Sequence, residues 1–333
     1  MIGMEFATPL PIVILGAGVA GLSAASALVQ GGQASVIFDK GRGVGGRVAT
    51  RRVSLPDGTQ LQFDHGAQFA TAKGAGFAAV LGALQTAGLA AQWQTGGDTG
   101  GDTGGGRSQV IGAPAMSSLA RGIAQAAGLQ IVQNAAAKSV RQEGALWCIG
   151  FADGSSVQAE RVILTVPAPQ LAGLLGPDHD AVRAAASVQV QPCLTLMAAA
   201  RAPAPFTAAR DNAQDLAWIA QDNSKSGRAG NGLTTWVAQT SLPFSLQHLE
   251  KSSDEICALM LPLLCRRLGL AANDIVFSAA HRWRYARADV PLGVAFLHPT
   301  AGLYIGGDWC LGPRIEAAWD SGAAIAAAIL ALG

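Results

Sequence analysis

The apolar positions near the start of the chain predict a strand, a tight turn, a helix and a second strand. Residues 12–15 form a continuous run of apolar, mostly β-branched residues, which is typical of a strand buried in a parallel sheet. A helix is expected over residues 22–30, before two glycines, and the apolar run at 35–38 ends in Asp39. This order of elements is that of a βαβ unit, so we expect a parallel sheet with helices on its faces.

From about residue 171 to residue 289 the pattern changes to separate short strands and one helix. The helix is expected over 253–268, after a serine cap. Antiparallel strands with a helix favour an α+β unit inserted into the nucleotide-binding part of the chain. The candidate strands are 188–197, 216–220, 234–238 and 275–283.

The turn between the first strand and the first helix is a G-x-G-x-x-G sequence. Gly16 allows the tight turn, Gly18 lets a pyrophosphate approach the backbone, and Gly21 lets the helix pack close to the strand. The helix N-terminus offers free N–H groups to phosphates, and Ala20, in the turn before it, is a further candidate contact. Asp39 can accept hydrogen bonds from ribose hydroxyls and would repel a 2′-phosphate. The pattern therefore predicts an FAD or NAD adenosine rather than NADP, although a chain with 42 glycines also admits a plain glycine-rich turn.

A second glycine-rich loop follows directly after this acid. Its glycines and basic side chains suit a clamp that closes over a pyrophosphate from the far side. Arginine is suited to binding a pyrophosphate because its planar guanidinium group can bind two phosphate oxygens at once. A flexible basic loop is the simpler alternative. The candidate contacts in the loop are Lys40, Arg42, Gly46 and Arg47.

Composition and charge exclude several classes of protein. The 333 residues are 50% apolar and carry a net charge of +1, which gives no attraction to nucleic acid or to an anionic membrane. No apolar run reaches the roughly 18 residues of a membrane-spanning helix, and the start of the chain lacks the basic region of a signal peptide. The five cysteines form no C-x-x-C pair, so neither a disulfide framework nor a zinc site is indicated. We expect a cytoplasmic protein without a bound metal.

Further segments lead to a family resemblance. The order of G-x-G-x-x-G, an acid, Gly-Gly-Arg and the D-H-G-A-Q segment at 64–68 resembles the flavin amine oxidase superfamily. Within it, the H-R-W-x-Y-A hexapeptide at 281–286 and the G-x-P-x-M segment at 112–116 resemble the renalase-like bacterial flavoproteins. The resemblance covers nearly the whole chain. The departure is the tract Thr95–Gly106, which has little side chain to bury and is predicted to be a mobile surface insertion.

The resemblance implies a non-covalently bound FAD held by both ends of the chain. The glycine–aspartate element near the C-terminus would meet the ribityl and pyrophosphate groups. The helix after it would point its N-terminus at the flavin ring and stabilise the anionic reduced flavin. Val140 would give a backbone contact to adenine, and no covalent link to Cys310 is expected. The other residues implied in this way are Gly307, Asp308, Glu316, Ala317 and Ala318 at the C-terminal end, and His65, Gly66, Ala67 and Gln68 at the flavin edge.

These observations together predict the fold class and the domain division. The fold class is α/β, with a Rossmann-type FAD-binding domain and an interleaved α+β substrate domain built on an antiparallel sheet. The expected FAD-binding domain consists of 1–75, 108–170 and 296–333. The expected substrate domain consists of 76–107 and 171–295.

The sequence shows no side chain that must carry the chemistry itself. It has no Ser-His-Asp arrangement and no lysine placed for a Schiff base, so the flavin would carry the reaction. His65 could be a general base or a hydrogen-bonded loop histidine, and Gln68 could bond flavin or substrate or pack in the core. His281 and Arg284 are the substrate-facing candidates, although a strand puts them on opposite faces and they should not line one pocket. Arg282 or Arg284 would be available for substrate phosphates.

The activity implied by the renalase resemblance is oxidation of the 2- and 6-dihydro isomers of β-NAD(P)H to NAD(P)⁺. A hydride would pass to flavin N5, and dioxygen would be reduced to hydrogen peroxide. The expected partners are a dinucleotide substrate and dioxygen, with no nucleic acid and no membrane, for a monomer or weak homodimer. The alternatives are an amine oxidase or desaturase on the same scaffold, a non-catalytic flavin-binding redox sensor, and a plain NAD-dependent dehydrogenase.

Overall fold

A computed structural model describes residues 9–95 and 108–332. Apart from Thr95, the predicted mobile tract Thr95–Gly106 lies outside the described residues. The strands are β1 (Leu10–Leu15), β2 (Val36–Phe38), β3 (Arg51–Ser54), β4 (Gln60–Phe63), β5 (Ala90–Gln92), β6 (Val110–Gly112), β7 (Gln130–Val132), β8 (Ala137–Glu143), β9 (Leu146–Phe151), β10 (Ser156–Leu164), β11 (Gln189–Ala200), β12 (Ala208–Arg210), β13 (Leu216–Gln221), β14 (Thr234–Thr240), β15 (Ile275–Val290), β16 (Phe296–Thr300) and β17 (Leu303–Gly306). The α-helices are α1 (Val19–Gln30), α2 (Ala75–Thr86), α3 (Ser117–Ala126), α4 (Leu171–Leu175), α5 (Asp180–Ala184), α6 (Leu242–Gln247), α7 (Ser253–Leu268), α8 (Asp308–Leu311) and α9 (Ile315–Leu330).

The larger sheet is the predicted Rossmann-type sheet. Its central path runs β16, β17, β10, β1, β2, β7, and all neighbours on this path except β16 and β17 are parallel. The hairpin of β8 and β9 is joined to the edge of β10 in antiparallel fashion. Helices α1 and α9 pack against each other, and Gly322 permits their approach because a Cβ there would lie 2.1 Å from the carbonyl oxygen of Ala20. The C-terminal helix therefore lies on the first βαβ unit.

The smaller sheet is antiparallel throughout, with the strand order β12, β13, β14, β11, β15. Helix α7 covers one face, where Ile256 and Leu264 pack in one core cluster with Leu194 and Leu196. The other face looks toward loops of the Rossmann-type half, and the hairpin of β3 and β4 covers one end of it. The predicted α/β fold class, with an antiparallel sheet in the substrate part, is confirmed.

Helix α2 lies at the junction between the two halves. The predicted division assigns 76–107 to the substrate domain, but Phe77 and Leu84 of α2 are buried in the same core cluster as Ile12 of the Rossmann-type sheet. That cluster also contains Trp218 of the substrate sheet. Because one hydrophobic core spans both sheets here, α2 belongs to the shared interior and does not mark a boundary.

Two kinds of feature are missing from the described part of the chain. None of its helices combines the length and the hydropathy that crossing a bilayer requires. Within the same residues, no group of His, Cys, Asp and Glu side chains is arranged to hold a metal ion.

Candidate active site

The first glycine-rich turn leaves an open backbone surface at the N-terminus of α1. Gly16 has φ +115°, which favours glycine, and a Cβ on Gly21 would lie 2.0 Å from the Gly16 carbonyl oxygen. A Cβ on Gly18, in contrast, would meet no protein atom within 4 Å. Ala20 is buried in the first turn of α1, so the accessible part is the backbone around Gly18. This surface offers unpaired N–H groups and the positive end of the helix dipole to an anion.

Asp39 joins the two glycine-rich loops. Its carboxylate accepts hydrogen bonds from the backbone N–H groups of Ala17 and Gly41, both at 2.6 Å. The N–H of Gly45 donates to the carbonyl oxygen of Ala17 at 2.8 Å, and Gly45 also pairs with Gly18 in a parallel bridge. The two loops therefore form one continuous backbone cradle, with the Asp39 carboxylate bonded to both of them.

The basic side chains of the second loop differ in their surroundings. Lys40 and Arg42 are exposed, and Gly46 has φ +56°, which favours glycine. Arg47 binds both carboxylate oxygens of Asp308, at 2.8 and 2.5 Å. Arg47 thus ties the second glycine-rich loop to the C-terminal element, and its contact with a pyrophosphate stays a prediction.

The C-terminal element places a second helix N-terminus beside the cradle. The N–H of Gly307 donates to Ser321 Oγ at 2.9 Å, so the turn before Asp308 is held against α9. Helix α9 begins without a side-chain cap, and Ala317 and Ala318 lie in its first turn. The free N–H groups of this turn are available to an electron-rich group.

Glu316 does not leave its carboxylate free for a ligand. One oxygen accepts hydrogen bonds from the N–H groups of Lys73 and Gly74, at 2.7 and 2.6 Å, and the other accepts from Arg314 at 2.6 Å. Burial raises the pKa of Glu316, but these hydrogen bonds and the charge of Arg314 outweigh it and hold the pKa below its ordinary value. Glu316 therefore anchors the segment before α2 to α9, and its backbone remains the candidate for a flavin contact.

Val140, the predicted adenine contact, is a strand residue of the core. It lies within β8 and is buried in the core. The segment beside the cradle comes earlier in the chain, because Asn134 donates to the carbonyl oxygen of Gly41 at 3.0 Å and Ala135 donates to that of Asp39 at 2.8 Å. The backbone next to the predicted ribose acid is thus that of residues 134 and 135.

The D-H-G-A-Q segment is held between the cradle and the substrate sheet. A Cβ on Gly66 would lie 2.0 Å from the carbonyl oxygen of Arg47, and that oxygen accepts the N–H of Ala67 at 2.9 Å. On the other side, Gln239 of β14 donates to the carbonyl oxygen of Gly66 at 2.8 Å. The segment is therefore fixed to both halves of the molecule.

Two histidines and a tryptophan form an aromatic cluster at this junction. The rings of His65 and Trp283 are stacked with centroids 5.2 Å apart, and His281 meets the two rings edge-on at 4.8 and 4.4 Å. Trp283 Nε1 donates to the carbonyl oxygen of His65 at 2.8 Å. Burial and then the neighbouring His281 lower the pKa of His65 to about 4, and burial also lowers the pKa of His281. Both imidazoles are therefore neutral at pH 7, and within the described residues the buried His65 Nδ1 has no hydrogen-bond partner.

Arg282 and Arg284 lie on the opposite face of β15 from His281, as the strand period predicts. Arg282 donates to two carbonyl oxygens of the loop between α6 and α7, at 2.7 and 3.2 Å. Arg284 forms a two-pronged ion pair with Glu250 in the same loop, at 2.6 and 2.8 Å. Both guanidinium groups therefore hold this loop, and the role in phosphate binding expected for one of them does not fit this placement.

A cluster of buried charges behind the D-H-G-A-Q segment was not predicted. Lys225 Nζ donates to Asp222 at 2.7 Å, to Asp64 at 3.1 Å and to Gln68 at 3.2 Å. Arg228 pairs with Asp64 as well. The four charged side chains are almost completely shielded from water, so two positive charges balance two negative charges in a region of low dielectric. Gln68, a candidate for flavin or substrate binding, has its amide engaged in this cluster.

The pKa values of the two carboxyl groups in the buried cluster shift in opposite directions. Burial raises the pKa of Asp64, but the charges of Lys225 and Arg228 and the hydrogen bonds it accepts outweigh burial and lower the pKa below its ordinary value. Burial and the nearby charge of Asp64 raise the pKa of Asp222. Asp64 is therefore the carboxylate on which the cluster centres.

One line of directly paired residues crosses all five strands of the substrate sheet. Cross-strand neighbours point to the same face of a sheet, and this face is the one toward the D-H-G-A-Q segment. Three buried polar atoms of this line have no hydrogen-bond partner in the described residues. They are Thr195 Oγ1, Trp218 Nε1 and Arg210 Nε. We call the line the transverse row, and it consists of Arg210, Trp218, Gln239, Thr195 and His281.

Aromatic rings surround one end of the transverse row. Phe69 and Trp93 complete a triangle with Trp218, with centroids 6.0 to 6.3 Å apart. Lys225 Nζ lies 5.1 Å from the centroid of Trp93, and the guanidinium carbon of Arg210 lies 4.9 Å from that of Trp218. No member of the row carries a carboxylate. This face therefore suits a flat group and an anion better than a cation.

Two family models match the chain. The NAD(P)-binding Rossmann-like domain matches residues 14–83, and the flavin containing amine oxidoreductase model matches residues 85–330, which is more than half of the chain. The chain belongs to the flavin containing amine oxidoreductase family. This confirms the predicted superfamily, and with it the prediction of an FAD-dependent oxidoreductase.

Solved structures with a similar fold match nearly the whole chain. A triple mutant of putrescine oxidase, from a structure-based redesign of cofactor binding, has a TM-score of 0.71 at 15% identity, and the match covers 97% of this chain and 99% of that one. A protein assigned as a protoporphyrinogen oxidase from Exiguobacterium sp. 255-15 has a TM-score of 0.74 at 14% identity, covering 99% of this chain and 100% of that one. At these identities the likeness shows a shared fold.

The residues of the site fit the FAD of this family. The space beside Gly18, where a Cβ would meet no protein atom, has room for a pyrophosphate. The uncapped N-terminus of α9 and the unpartnered, buried His65 Nδ1 would offer polar contacts at the ring end. Asp39 would take the ribose, and the two ends of the chain would hold one flavin between them.

Cys310 is unsuited to a covalent flavin link. Its side chain is fully buried in α8, and burial raises the pKa of its thiol to about 12. The thiol is therefore protonated at pH 7, and a protonated thiol is a poor nucleophile. This supports non-covalent FAD, which stays a prediction.

Proposed function

We propose that this protein oxidises the 2- and 6-dihydro isomers of β-NAD(P)H and returns them to NAD(P)⁺. The observation that carries the proposal is the chemistry of the transverse row and the aromatic rings beside it, which present neutral imidazoles and a guanidinium group but no carboxylate. The nearby carboxylates of Asp64 and Asp222 are already paired with Lys225 and Arg228. A dihydronicotinamide is a flat, uncharged ring linked to phosphates, and such a face suits both parts. A protonated amine would find no opposite charge on this row.

When bound, FAD would accept a hydride from the substrate at N5 and pass two electrons to dioxygen, so that dihydro-NAD(P), dioxygen and one proton become NAD(P)⁺ and hydrogen peroxide. The residues of the chain bind and orient the substrate. The stacked rings of His65 and Trp283 would form a flat wall, and Gln239, which is bonded to Gly66, would present polar atoms beside it. A dihydronicotinamide loses a hydride and no proton, so the neutral imidazoles need not act as bases.

Oxidation of an amine is the second candidate, because the fold is shared with putrescine oxidase. The two candidates differ in the charge of the substrate. A carboxylate on the substrate face would favour the amine, and the transverse row has none. We therefore rank amine oxidation second.

An anaerobic titration of the purified flavoprotein tests the proposal. The 2- or 6-dihydro isomer of NAD should bleach the flavin absorbance band, and putrescine should leave it unchanged. Ordinary NADH is the matched control, since it differs only in the position of the added hydride. Readmission of air should restore the band and form one hydrogen peroxide per substrate. Bleaching by putrescine alone would overturn the proposal, and an absence of turnover would favour a redox sensor.

A further inference from the structure

The hairpin of β3 and β4 begins with two successive arginines, which point to different faces of it. Directly paired residues of an antiparallel hairpin share a face. Arg51 pairs with Phe63, whose ring stacks on that of Phe277 of β15 with centroids 5.4 Å apart. Arg52 pairs with Gln62, which points the other way and donates to the G-x-P-x-M segment. The pairing therefore directs Arg51 toward the smaller sheet and Arg52 away from it.

Arg51 lies at the end of the hairpin that leads to the aromatic cluster. Phe63 is the last residue of β4, about 5 Å from Arg51 across the hairpin, and His65 follows at most about 7 Å further along the chain. The two chain segments stay together beyond this pair, because Thr50 Oγ1 donates to Asp64 at 2.6 Å. Since β15 is an edge strand of the smaller sheet, Arg51 lies at the open edge beside the cluster.

The electrostatics of the cluster agree with this position. His65 contacts the rings of His281 and Trp283 of β15. Burial is the largest cause of the lowered pKa of both His65 and His281, and the charge of Arg51 lowers both pKa values further. A cation that acts on both imidazoles lies close to the wall that they form with Trp283.

The charge of Arg51 is available to a ligand. Its side chain is exposed, and in the described residues its guanidinium group donates no hydrogen bond and forms no ion pair. Arg47, in the preceding loop, is in contrast paired with Asp308. Arg210 has no ion pair in that part of the chain either, but it lies on β12, at the opposite edge of the smaller sheet. Arg51 is therefore the better placed cation for a group that binds beside His65 and Trp283.

We propose that Arg51 binds the substrate phosphate that is attached to the ribose of the oxidised ring. In the proposed function this ring lies against the stacked rings of His65 and Trp283. Its phosphate is one sugar away, and Arg51 extends from the neighbouring strand at the edge of the same wall. The planar guanidinium group suits phosphate oxygens, and its charge would repel a protonated amine. The inference rests on the proposed function and adds that the substrate is recognised through its nicotinamide mononucleotide half.

Binding of nicotinamide mononucleotide to the FAD-loaded protein tests this contact without turnover. Nicotinamide riboside is the matched ligand, because it lacks only the phosphate. Each ligand is titrated against the oxidised protein, and the change in the flavin absorbance spectrum is followed. Wild type should bind the mononucleotide about tenfold more tightly than the riboside, and Arg51→Gln should remove most of this preference. Arg52→Gln, on the other face of the hairpin, is the matched control and should keep the preference.

Two results of this titration would overturn the contact. One is an equal preference for the mononucleotide in wild type and Arg51→Gln, and the other is no binding of the mononucleotide to wild type. Bleaching of the flavin by the dihydro isomers of NAD is measured separately and decides the proposed function. If the isomers bleach the flavin while the preference is equal, only the role of Arg51 is rejected.

Steady-state kinetics then test the same contact with the substrate. With 6-dihydro-NAD, Arg51→Gln should raise KM by about tenfold with little change in kcat, and Arg51→Lys should recover part of the loss. The matching dihydronicotinamide riboside should be used equally well by wild type and Arg51→Gln. Because the side chain is exposed, both variants should unfold at the same urea concentration as wild type. An unchanged KM, or an equal loss with the riboside, would reject the proposal.

Discussion

The guanidinium group of Arg47 and the carboxylate of Asp308, 261 residues apart in sequence, form a two-pronged ion pair at 2.8 and 2.5 Å. Arg47 also donates to the carbonyl oxygen of Ala286, near the end of β15, at 3.1 Å. One side chain therefore joins the second glycine-rich loop, the longest strand of the substrate sheet and the C-terminal element. The cradle takes its shape only when both ends of the chain have come together.

Arg47→Ala should weaken FAD binding by about 1–3 kcal/mol, because the cradle loses its link to a carboxylate of which only 8% of the side chain is exposed. Titration of the apoprotein with FAD, followed by flavin fluorescence, measures the change. Arg266→Ala, at an exposed position of α7, is the control and should bind FAD like wild type. Unchanged FAD affinity in Arg47→Ala would reject the role of this pair.

Gly18→Ala should lower FAD affinity, whereas Gly21→Ala should lower the stability of the apoprotein. At Gly18 the backbone has φ −75° and a Cβ meets no protein atom, so the apoprotein should keep its free energy of unfolding, while the methyl group lowers FAD affinity by about tenfold or more. At Gly21 the Cβ would lie 2.0 Å from the Gly16 carbonyl oxygen, so the apoprotein should lose about 1–3 kcal/mol of stability. Urea unfolding of each apoprotein, with FAD titration beside it, separates the two effects. Equal losses of stability would contradict this account.

Lys225→Met should destabilise the protein by about 3–5 kcal/mol, because it leaves Asp64 and Asp222 buried with one cation between them. Lys251→Met is the surface control. Lys251 pairs with Glu255 at 3.6 Å with both side chains well exposed, so its loss should cost at most about 1 kcal/mol. Urea unfolding at pH 7 compares the two variants, and a small effect at Lys225 would show that water reaches the cluster.

Stability should fall as the pH drops, in part through His65. A histidine in the unfolded chain has a pKa of about 6.5, and burial and His281 lower the pKa of folded His65 to about 4. The unfolded state therefore binds the proton first, and stability is lost as the pH falls between these two values. The free energy of unfolding of His65→Gln should vary less with pH in this window, by up to about 3 kcal/mol. Parallel curves for wild type and His65→Gln would refute this, and exposed His298→Gln is the control.

All the flavin should leave the protein on denaturation. Because the Cys310 thiol is buried with a pKa raised to about 12, it does not form the thiolate that a covalent link needs. Precipitation with acid should therefore leave FAD in the supernatant, and Cys310→Ala should carry FAD in the same ratio as wild type. Yellow colour that stays with the precipitated wild type would contradict this.

Local signals predicted several elements closely. Helix α7, Ser253–Leu268, has its predicted bounds, because Ser252 and Glu255 form a reciprocal capping box at its start and Gly269 ends it with φ +69°. These signals act within one turn of the helix ends, so no distant part of the chain is needed. Strand β15 is longer than expected and continues to Val290, because its pairing with β11 accommodates register shifts that local sequence does not show.

Long-range charge pairing was not predictable in the same way. Residues 222–231 are mostly polar or glycine, yet Lys225 and Arg228 are buried against Asp64, more than 150 residues earlier in the chain. Strand alternation correctly separated His281 from Arg284, but it does not say which face meets the nucleotide-binding half. Arg210 and Trp218 carried no local signal at all, since the transverse row arises only when five strands pair.

The sequence by itself determined the cradle and the family. A glycine turn, a helix N-terminus and a terminal acid act through backbone conformation and dipoles over a few consecutive residues. Only the tertiary structure decided which side chains share the face of the smaller sheet toward the D-H-G-A-Q segment, because strands from distant parts of the chain must pair before their residues share a face. For that reason the two arginines of the distinctive hexapeptide hold a loop on the far face of β15, while Arg210, from a short edge strand, lies in the transverse row.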